Sequence, residues 1–331
     1  MSARAPLVSV VLPVYDSAAY LEQSIASVLG QSLRDLELIL VDDGSRDASP
    51  RIMADLARCD GRVVIERHET NLGLVTALNH GLEIARGRYI ARMDADDVCL
   101  PERLERQVEF LETHPEIFLV GSEIVLIDER GREFDRLRRE PSPERLAALL
   151  PRRNLITHPT IVFRRDATLR YREKMMFVED YDLYLRLLSR GARLANLPVV
   201  LLRYRRHAGS VSLRHAVHQR LFWEQAQEFH RQRQRDGRDA YDAFDPQAIL
   251  AIDPADSTDE RVLRTEVIIA FVLNALPETR AHLRRYFRHH GIARRPVFLA
   301  YYAAACLPPG LLRGIKRLLK RVRRAAGRGR R

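Results

Sequence analysis

As far as about Gly121, the chain alternates between short apolar runs and longer stretches with helical periodicity. The apolar runs have the length of strands and cover residues 7–12, 36–41, 63–65 and 88–93. Apolar residues at helical spacing predict helices after Asp16-Ser17, from Ser49-Pro50 onward, over residues 74–85 and over residues 101–112. Strands that alternate with helices predict a mostly parallel sheet with helices on both faces, which is an α/β fold.

Beyond Gly121 the pattern is mixed. Apolar runs predict strands over residues 124–127, 156–163 and 199–202, and a helix over residues 181–188 that begins at Glu179-Asp180. A charged helix is predicted over residues 213–233, a polar linker over 236–259, and a helical pair over 261–274 and 277–290. We therefore expect a domain over residues 1–212, a helical extension over 213–290 and a tail over 291–331.

The tail combines an apolar segment with a basic one. Residues 296–312 lack charge, but Pro308-Pro309-Gly310 interrupts them, so this segment is too short and broken for a spanning helix. Apolar residues then recur at helical spacing among basic ones, at Leu311, Ile315, Leu318, Leu319 and Val322. This pattern predicts an amphipathic helix that binds an anionic membrane surface, so that residues 296–331 form the contact. The alternative is that the apolar part packs on the protein and the basic part is only solvated.

Composition changes this picture in one respect. The formal charge of the 331 residues is +11, but residues 313–331 alone carry ten Lys or Arg residues and no acid. The remainder has a charge of about +1 (11 − 10), so we expect no nucleic-acid partner. The three cysteines form no closely spaced pair, which disfavours a disulfide framework or a structural zinc site. A reducing compartment, the cytoplasm, is expected.

Polar clusters follow the first, second and fourth predicted strands: Pro13-Val14-Tyr15, Asp42-Asp43-Gly44-Ser45 and Asp94-Ala95-Asp96-Asp97. In a parallel sheet these clusters share one edge, where ligands bind. Carboxylates two residues apart on an extended backbone project to the same side and repel each other unless a cation compensates. Mg²⁺ or Mn²⁺ carrying diphosphate oxygens would do so, and Tyr15 beside Asp43 would suit a nucleobase.

These motifs, together with Asn71-Leu72-Gly73 and in this order and spacing, resemble the family-2 glycosyltransferases over roughly residues 6–212. The resemblance implies the GT-A fold, a nucleotide-sugar-binding α/β domain. It also implies that Pro13, Tyr15 and Asp43 border the nucleoside of the donor, with Gly73 in the same site. Asp96 is then the direct ligand of Mn²⁺ or Mg²⁺, and Asp94 lies near the ribose or the metal.

The resemblance also matches Glu179-Asp180 to the acidic catalytic position of the family. Asp180 would take the proton from the acceptor hydroxyl, and Glu179 would support it; alternatively, both residues only cap their helix. His158, in a strand-like run, resembles a position near the donor, although a structural role is the alternative. His207 could reach the diphosphate or serve as a metal ligand.

Departures from the family pattern narrow the expected activity. Leu78 stands where an arginine is common, which leaves a phosphate contact in doubt, and no Gln-x-x-Arg-Trp motif follows. We expect an inverting, metal-dependent transfer of one sugar at a time, from a UDP-sugar to a glycan or lipid-linked acceptor, on the cytoplasmic face of a membrane. The alternatives are a nucleotidyltransferase, disfavoured because no glycine-rich phosphate loop follows the first strand, and a non-catalytic binder that uses the basic tail.

Overall fold

The computed structural model describes residues 4–207, 215–272, 276–291, 295 and 297–307. These residues form two compact units, one within Met1–Arg214 and Trp223–Phe244, the other within His215–Phe222 and Asp245–Arg331. The predicted amphipathic helix at 311–322 and the Pro308-Pro309-Gly310 break lie outside the described residues. The predicted domain boundaries at 212 and 290 stay predictions.

The first unit begins with a parallel half-sheet, as the sequence predicts. Its strands are β1 (Val8–Val14), β2 (Leu36–Asp42), β3 (Val63–Arg67) and β4 (Tyr89–Arg92), in the order β3-β2-β1-β4. Three helices connect them: α1 (Ala18–Leu29), α2 (Ser49–Cys59) and α3 (Leu74–Ile84). Every residue of β1, β2 and β4 is buried, which explains their continuous apolar sequences.

The second half of the sheet is mixed. It contains β5 (Val98–Cys99), β6 (Ile117–Ile127), β7 (Glu133–Leu137), β8 (Val162–Arg164) and β9 (Arg193–Arg205). The helices in this part are α4 (Arg103–Thr113), α5 (Pro143–Leu149) and α6 (Glu179–Ser189). Strand β8 runs antiparallel between β4 and β6, while β6 and β9 are parallel. The α/β fold class is confirmed, and β8 joins the two halves of the sheet.

One predicted strand, over residues 156–163, is wrong. A 3-10 turn occupies His158–Thr160, and the strand begins only at Val162. Pro159 lacks the N–H that a sheet ladder needs, and the Thr160 hydroxyl donates to the carbonyl oxygen of Thr157 at 2.7 Å, which favours a turn. His158 therefore lies in a turn and not in a strand.

Helix α7 (Ala216–Asp236) follows the sheet, and the predicted linker at 236–259 contains only a short helix, α8 (Gln247–Leu250). The second unit contains the predicted helical pair as α9 (Glu260–Val272) and α10 (Leu276–His290). A further helix, α11 (Val297–Ala305), follows them in the chain. Leu263, Val267, Leu283, Tyr286 and Phe298 form its core. Among the described helices, none has both the length and the apolarity to cross a membrane.

Candidate active site

The polar clusters that follow β1, β2 and β4 lie at one edge of the sheet because these strands are parallel and in register. Val14 pairs with Asp42, and Val11 pairs with Arg92, so the chain leaves all three strands in the same direction. Pro13 is buried within β1, whereas the side chain of Tyr15 is 47% exposed just beyond it. An exposed aromatic ring at a sheet edge is available for stacking against a planar ligand.

Asp43 organises the wall of the site beside Tyr15. Its carboxylate accepts hydrogen bonds from the backbone N–H groups of Leu72 and Gly73, each at 2.8 Å, and from His68 Nδ1 at 2.8 Å. Gly44 has a φ of 74°, and a Cβ there would lie 2.6 Å from the backbone of Thr70. The turn after β2 and the loop before α3 are therefore packed backbone against backbone, with Asp43 between them.

Three carboxylates cluster after β4. Ligand atoms of Asp94, Asp96 and Asp97 all lie within 4.8 Å of one another. Asp94 Oδ2 lies 2.5 Å from Nη1 of the buried Arg92, and Asp96 Oδ2 lies 3.0 Å from His207 Nε2. One Asp94 oxygen is thus paired with an arginine, while Asp96 has an imidazole beside it.

This cluster is unfavourable without a positive ion. Burial, and then repulsion from Asp94, raises the pKa of Asp96. Burial, and then repulsion from Asp94 and Asp96, raises the pKa of Asp97 well above its usual range. Asp97 Oδ2 is buried and accepts no hydrogen bond from the described residues. Mn²⁺ binds both carboxylate oxygens and imidazole nitrogens, whereas Mg²⁺ prefers the carboxylate oxygens. The residues present therefore fit a hard divalent ion.

Arg205, at the end of β9, holds the acidic cluster in place. Its backbone N–H donates to Asp97 Oδ1 at 2.8 Å, and its Nε donates to the carbonyl oxygen of Asp96 at 2.8 Å. Its guanidinium also donates to Gln23 Oε1 and lies 4.4 Å from the ring centroid of Tyr20. The strand that carries Arg205 therefore fixes the turn that carries the carboxylates.

A second acidic pair begins α6, as predicted. Asp180 Oδ2 accepts a hydrogen bond from Asn154 Nδ2 at 2.9 Å, and burial raises the pKa of Asp180. Glu179 is more deeply buried, and burial, followed by repulsion from Asp180, raises its pKa to about 8. Adjacent carboxylates in a buried site share their protons, so one of the two is ionised more readily than the other.

His158 supports this pair from the turn before β8. Its Nδ1 lies 3.7 Å from Glu179 Oε1, and its Nε2 is 2.8 Å from the Tyr171 hydroxyl. Burial, and then the positive charge of Arg92, holds the pKa of His158 well below its usual range. A buried imidazole with these partners is neutral, and it is only 8% exposed.

Arg92 links the two acidic groups, and the motifs do not identify it. Arg92 pairs with Asp94, and its positive charge also offsets part of the rise in the pKa of Glu179 and of Asp180. An arginine inside the otherwise apolar run before Asp94 was a usable signal, since buried charges need partners. Asn154, Tyr171 and His68 carried no comparable signal. Leu78 is buried, so it offers no phosphate contact.

Comparison with known proteins gives the family of this chain. The sequence model of Glycosyl transferase family 2 matches residues 9–172. The chain is 38% identical over 211 residues to the amylovoran biosynthesis glycosyltransferase AmsE of Erwinia amylovora, covering 62% of this chain and 79% of AmsE. It is 35% identical over 206 residues to the O-antigen biosynthesis glycosyltransferase WbnJ of Escherichia coli, covering 61% of this chain and 80% of WbnJ.

Solved structures show the same fold. The chain resembles S. aureus TarS 1-349 in complex with UDP with a TM-score of 0.52 and 18% identity, covering 87% of this chain and 91% of that one. A second TarS structure, in complex with UDP-GlcNAc, has a TM-score of 0.52 and 17% identity. The architecture is therefore that of the GT-A glycosyltransferases.

The chain belongs to glycosyltransferase family 2, and it is a glycosyltransferase. This assignment decides against the nucleotidyltransferase and the non-catalytic binder.

Proposed function

We propose that the enzyme transfers one sugar at a time from a nucleotide-diphosphate donor to an acceptor hydroxyl, with inversion and with a divalent ion. The acidic cluster after β4 carries this proposal, because it lies at the same sheet edge as Tyr15 and Asp43. A UDP-sugar is the proposed donor. The fold shared with TarS, which binds UDP and UDP-GlcNAc, supports this choice.

The donor lies with its base against Tyr15 and its diphosphate toward Asp94 and Asp96. Asp43 accepts a ring N–H of the base, with Pro13 and Gly73 in the same wall. Asp96 would be the direct ligand of Mn²⁺ or Mg²⁺, with His207 beside it, and Asp94 would have the auxiliary place because Arg92 already holds one of its oxygens. A bound ion would supply positive charge where the departing diphosphate gains negative charge.

Asp180 takes the proton of the acceptor hydroxyl as the hydroxyl oxygen attacks the anomeric carbon. Glu179, whose pKa is raised to about 8, keeps its proton near neutral pH and so leaves the shared negative charge on Asp180. Asn154 fixes the orientation of the Asp180 carboxylate through its hydrogen bond to Oδ2. His158 stays neutral and holds the turn against α6.

The acceptor is proposed to be a glycan or lipid-linked precursor of a cell-surface polysaccharide. The names of AmsE and WbnJ, which refer to amylovoran and O-antigen biosynthesis, support this class. Residues 296–331 would hold the enzyme on the cytoplasmic face of a membrane, where such acceptors are presented. Helix α11 already packs on its own unit through Phe298, so the basic residues beyond it would provide most of the contact.

The first test compares Asp96→Asn and Asp180→Asn in the full chain. Asp96→Asn is expected to lose the Mn²⁺-dependent part of UDP binding, measured by calorimetry. Asp180→Asn is expected to bind UDP as the wild type does, yet to transfer sugar at least about 100-fold more slowly, the typical contribution of a positioned base.

Asp55→Asn is the control, since Asp55 lies exposed on α2, where it pairs with Arg58. Both active-site variants should melt no lower than this control, because burial already disfavours the charged forms of Asp96 and Asp180. Wild-type transfer by folded Asp180→Asn would remove Asp180 as the base, and Mn²⁺-dependent UDP binding by Asp96→Asn would remove the metal assignment.

A further inference from the structure

A pair of histidines lies behind the donor wall, outside every motif named above. His68 follows β3 directly, and its backbone N–H donates to the carbonyl oxygen of Asp42 at 2.9 Å. His68 Nδ1 lies 2.8 Å from Asp43 Oδ1, and His68 Nε2 lies 3.0 Å from His80 Nδ1 on α3. The two rings lie edge to edge and nearly coplanar, with centroids 5.2 Å apart and an angle of 12° between their planes.

The hydrogen bonds assign the protons in this pair. An ionised carboxylate can only accept, so His68 Nδ1 must carry a hydrogen and donate it to Asp43. When both rings are neutral, His68 Nε2 is then an acceptor, and His80 Nδ1 donates to it. With both rings neutral, this contact with His80 favours the same tautomer of His68 that donates to Asp43. Glu66 Oε2 lies 3.9 Å from His80 Nε2, beyond hydrogen-bond distance.

These contacts also show which hydrogen-bond acceptor positions of the Asp43 carboxylate are occupied. Its Oδ1 accepts from Leu72 N and from His68 Nδ1, which uses both lone pairs of that oxygen. Its Oδ2 accepts from Gly73 N alone among the described residues. One acceptor position thus remains, on Oδ2, and the side chain of Asp43 has no freedom to turn because three donors hold it.

We propose that His68, whose Nε2 is held by His80, is a positioning residue that fixes the one remaining acceptor position of Asp43 for the donor base. This inference rests on the proposed donor site. A single fixed acceptor favours a base that presents a ring N–H, as uracil does at N3. It disfavours cytosine, whose N3 is itself an acceptor and would face the carboxylate lone pair.

Two substitutions of His68 separate its contacts. The amide nitrogen of asparagine is as many bonds from Cα as Nδ1, so His68→Asn retains the donor toward Asp43. The amide of glutamine reaches the place of Nε2, so His68→Gln loses that donor. Calorimetry of the full chain with Mn²⁺ measures the affinities for UDP and CDP in each variant.

We expect His68→Asn to keep the UDP affinity and the UDP-to-CDP ratio of the wild type. His68→Gln should lose about tenfold in UDP affinity, the factor for one hydrogen bond to a charged group, and its UDP-to-CDP ratio should fall. A purely structural role would weaken both nucleotides equally. An unchanged ratio in His68→Gln, or a His68→Asn variant that behaves like His68→Gln, would overturn the inference.

His80→Phe tests the tautomer, since phenylalanine keeps an aromatic ring on α3 and removes Nδ1. It should lower UDP affinity in the wild-type background but have no effect in the His68→Asn background, where an amide needs no tautomer selection. Equal effects in both backgrounds would remove His80 from the proposal. Wild-type protein that binds neither UDP nor CDP would instead refute the proposed donor site, which is a separate outcome.

Discussion

Glu179 and Asp180 are neighbours in sequence, yet their surroundings differ. Glu179 faces His158 inside the protein, whereas Asp180 is only partly buried and is held by Asn154. Burial weakens ionisation wherever no donor compensates it, so the deeper residue keeps its proton. The order of the two residues along the chain does not reveal this difference, because both His158 and Asn154 come from another segment.

This difference makes stability depend on pH. Glu179 has a pKa of about 8 in the folded protein and about 4.5 as an isolated side chain. The folded state therefore holds its proton more tightly, and the associated stability, complete below about pH 4.5, is lost as the pH rises through 8.

We expect Glu179→Gln to remove this dependence. Between pH 5 and 9, the free energy of unfolding of the wild type should fall relative to Glu179→Gln by on the order of 4 kcal/mol. Melting temperatures measured in EDTA check this. Glu173→Gln, at an exposed position in the preceding loop, is the control. A parallel pH dependence of Glu179→Gln and the wild type would contradict the buried, protonated state.

Motif residues could be predicted from the sequence because a ligand fixes their spacing. Asp43, Asp94, Asp96 and Asp180 belong to this group as candidates. His68, Asn154 and Arg205 do not, because each acts on a residue far away in the chain through a contact that only the fold creates. Pattern and propensity carry no information about such pairs.

At the scale of elements, strands buried on both faces were predictable and strands at the join of the sheet were not. β1 and β2 are continuous apolar runs, so their sequence and their environment agree. β8 spans only Val162–Arg164, and the apolar residues before it belong to a turn. The apolar run there reflects burial, which a turn shares with a strand.

The turn after β2 allows a matched test of how elements shape the donor site. Gly44 and Gly131 both have positive φ, 74° and 78°, so alanine at either position carries similar backbone strain, about 1–2 kcal/mol. A Cβ at Gly44 would lie 2.6 Å from Thr70 C and 2.8 Å from Asn71 N, whereas nothing lies within 4 Å at Gly131.

Gly44→Ala must therefore push the loop before α3 away from Asp43, and Gly131→Ala need not move anything. We expect UDP affinity to fall about tenfold or more in Gly44→Ala, since Asp43 would lose its hold on Leu72 and Gly73. Gly131→Ala should bind UDP as the wild type does. Equal UDP affinity in the two variants, measured by calorimetry, would show that the loop does not shape the donor site.

At the scale of the whole molecule, the fold class and the family follow from the sequence, whereas the location of the enzyme does not. The sequence predicts a membrane contact through residues 296–331. In the described part of that range, α11 buries Phe298 against the second unit and leaves Val297 and Leu299 56% and 46% exposed. Because α11 uses part of its apolar surface to pack within its own unit, its apolar sequence alone does not indicate a membrane contact.

Deletion of residues 313–331 tests the membrane proposal. The shortened enzyme is expected to keep the donor hydrolysis of the full chain, because the candidate site lies in the other unit. It should no longer sediment with phosphatidylglycerol vesicles, since each basic residue near an anionic surface contributes about 1 kcal/mol. Phosphatidylcholine vesicles are the control. Unchanged sedimentation with anionic vesicles would assign the contact elsewhere or remove it.

The clamp of Arg205 on the acidic turn has a consequence for synthesis of the protein. Arg205 and Asp97 are separated by 108 positions along the chain, and their hydrogen bond closes all of that length into one loop. The four parallel strands can pair while the ribosome is still making the later strands, because their contacts are local by comparison. The carboxylate turn, in contrast, stays unclamped until β9 has emerged. We therefore expect a nascent chain to form the proposed ion site only after β9 has been synthesised.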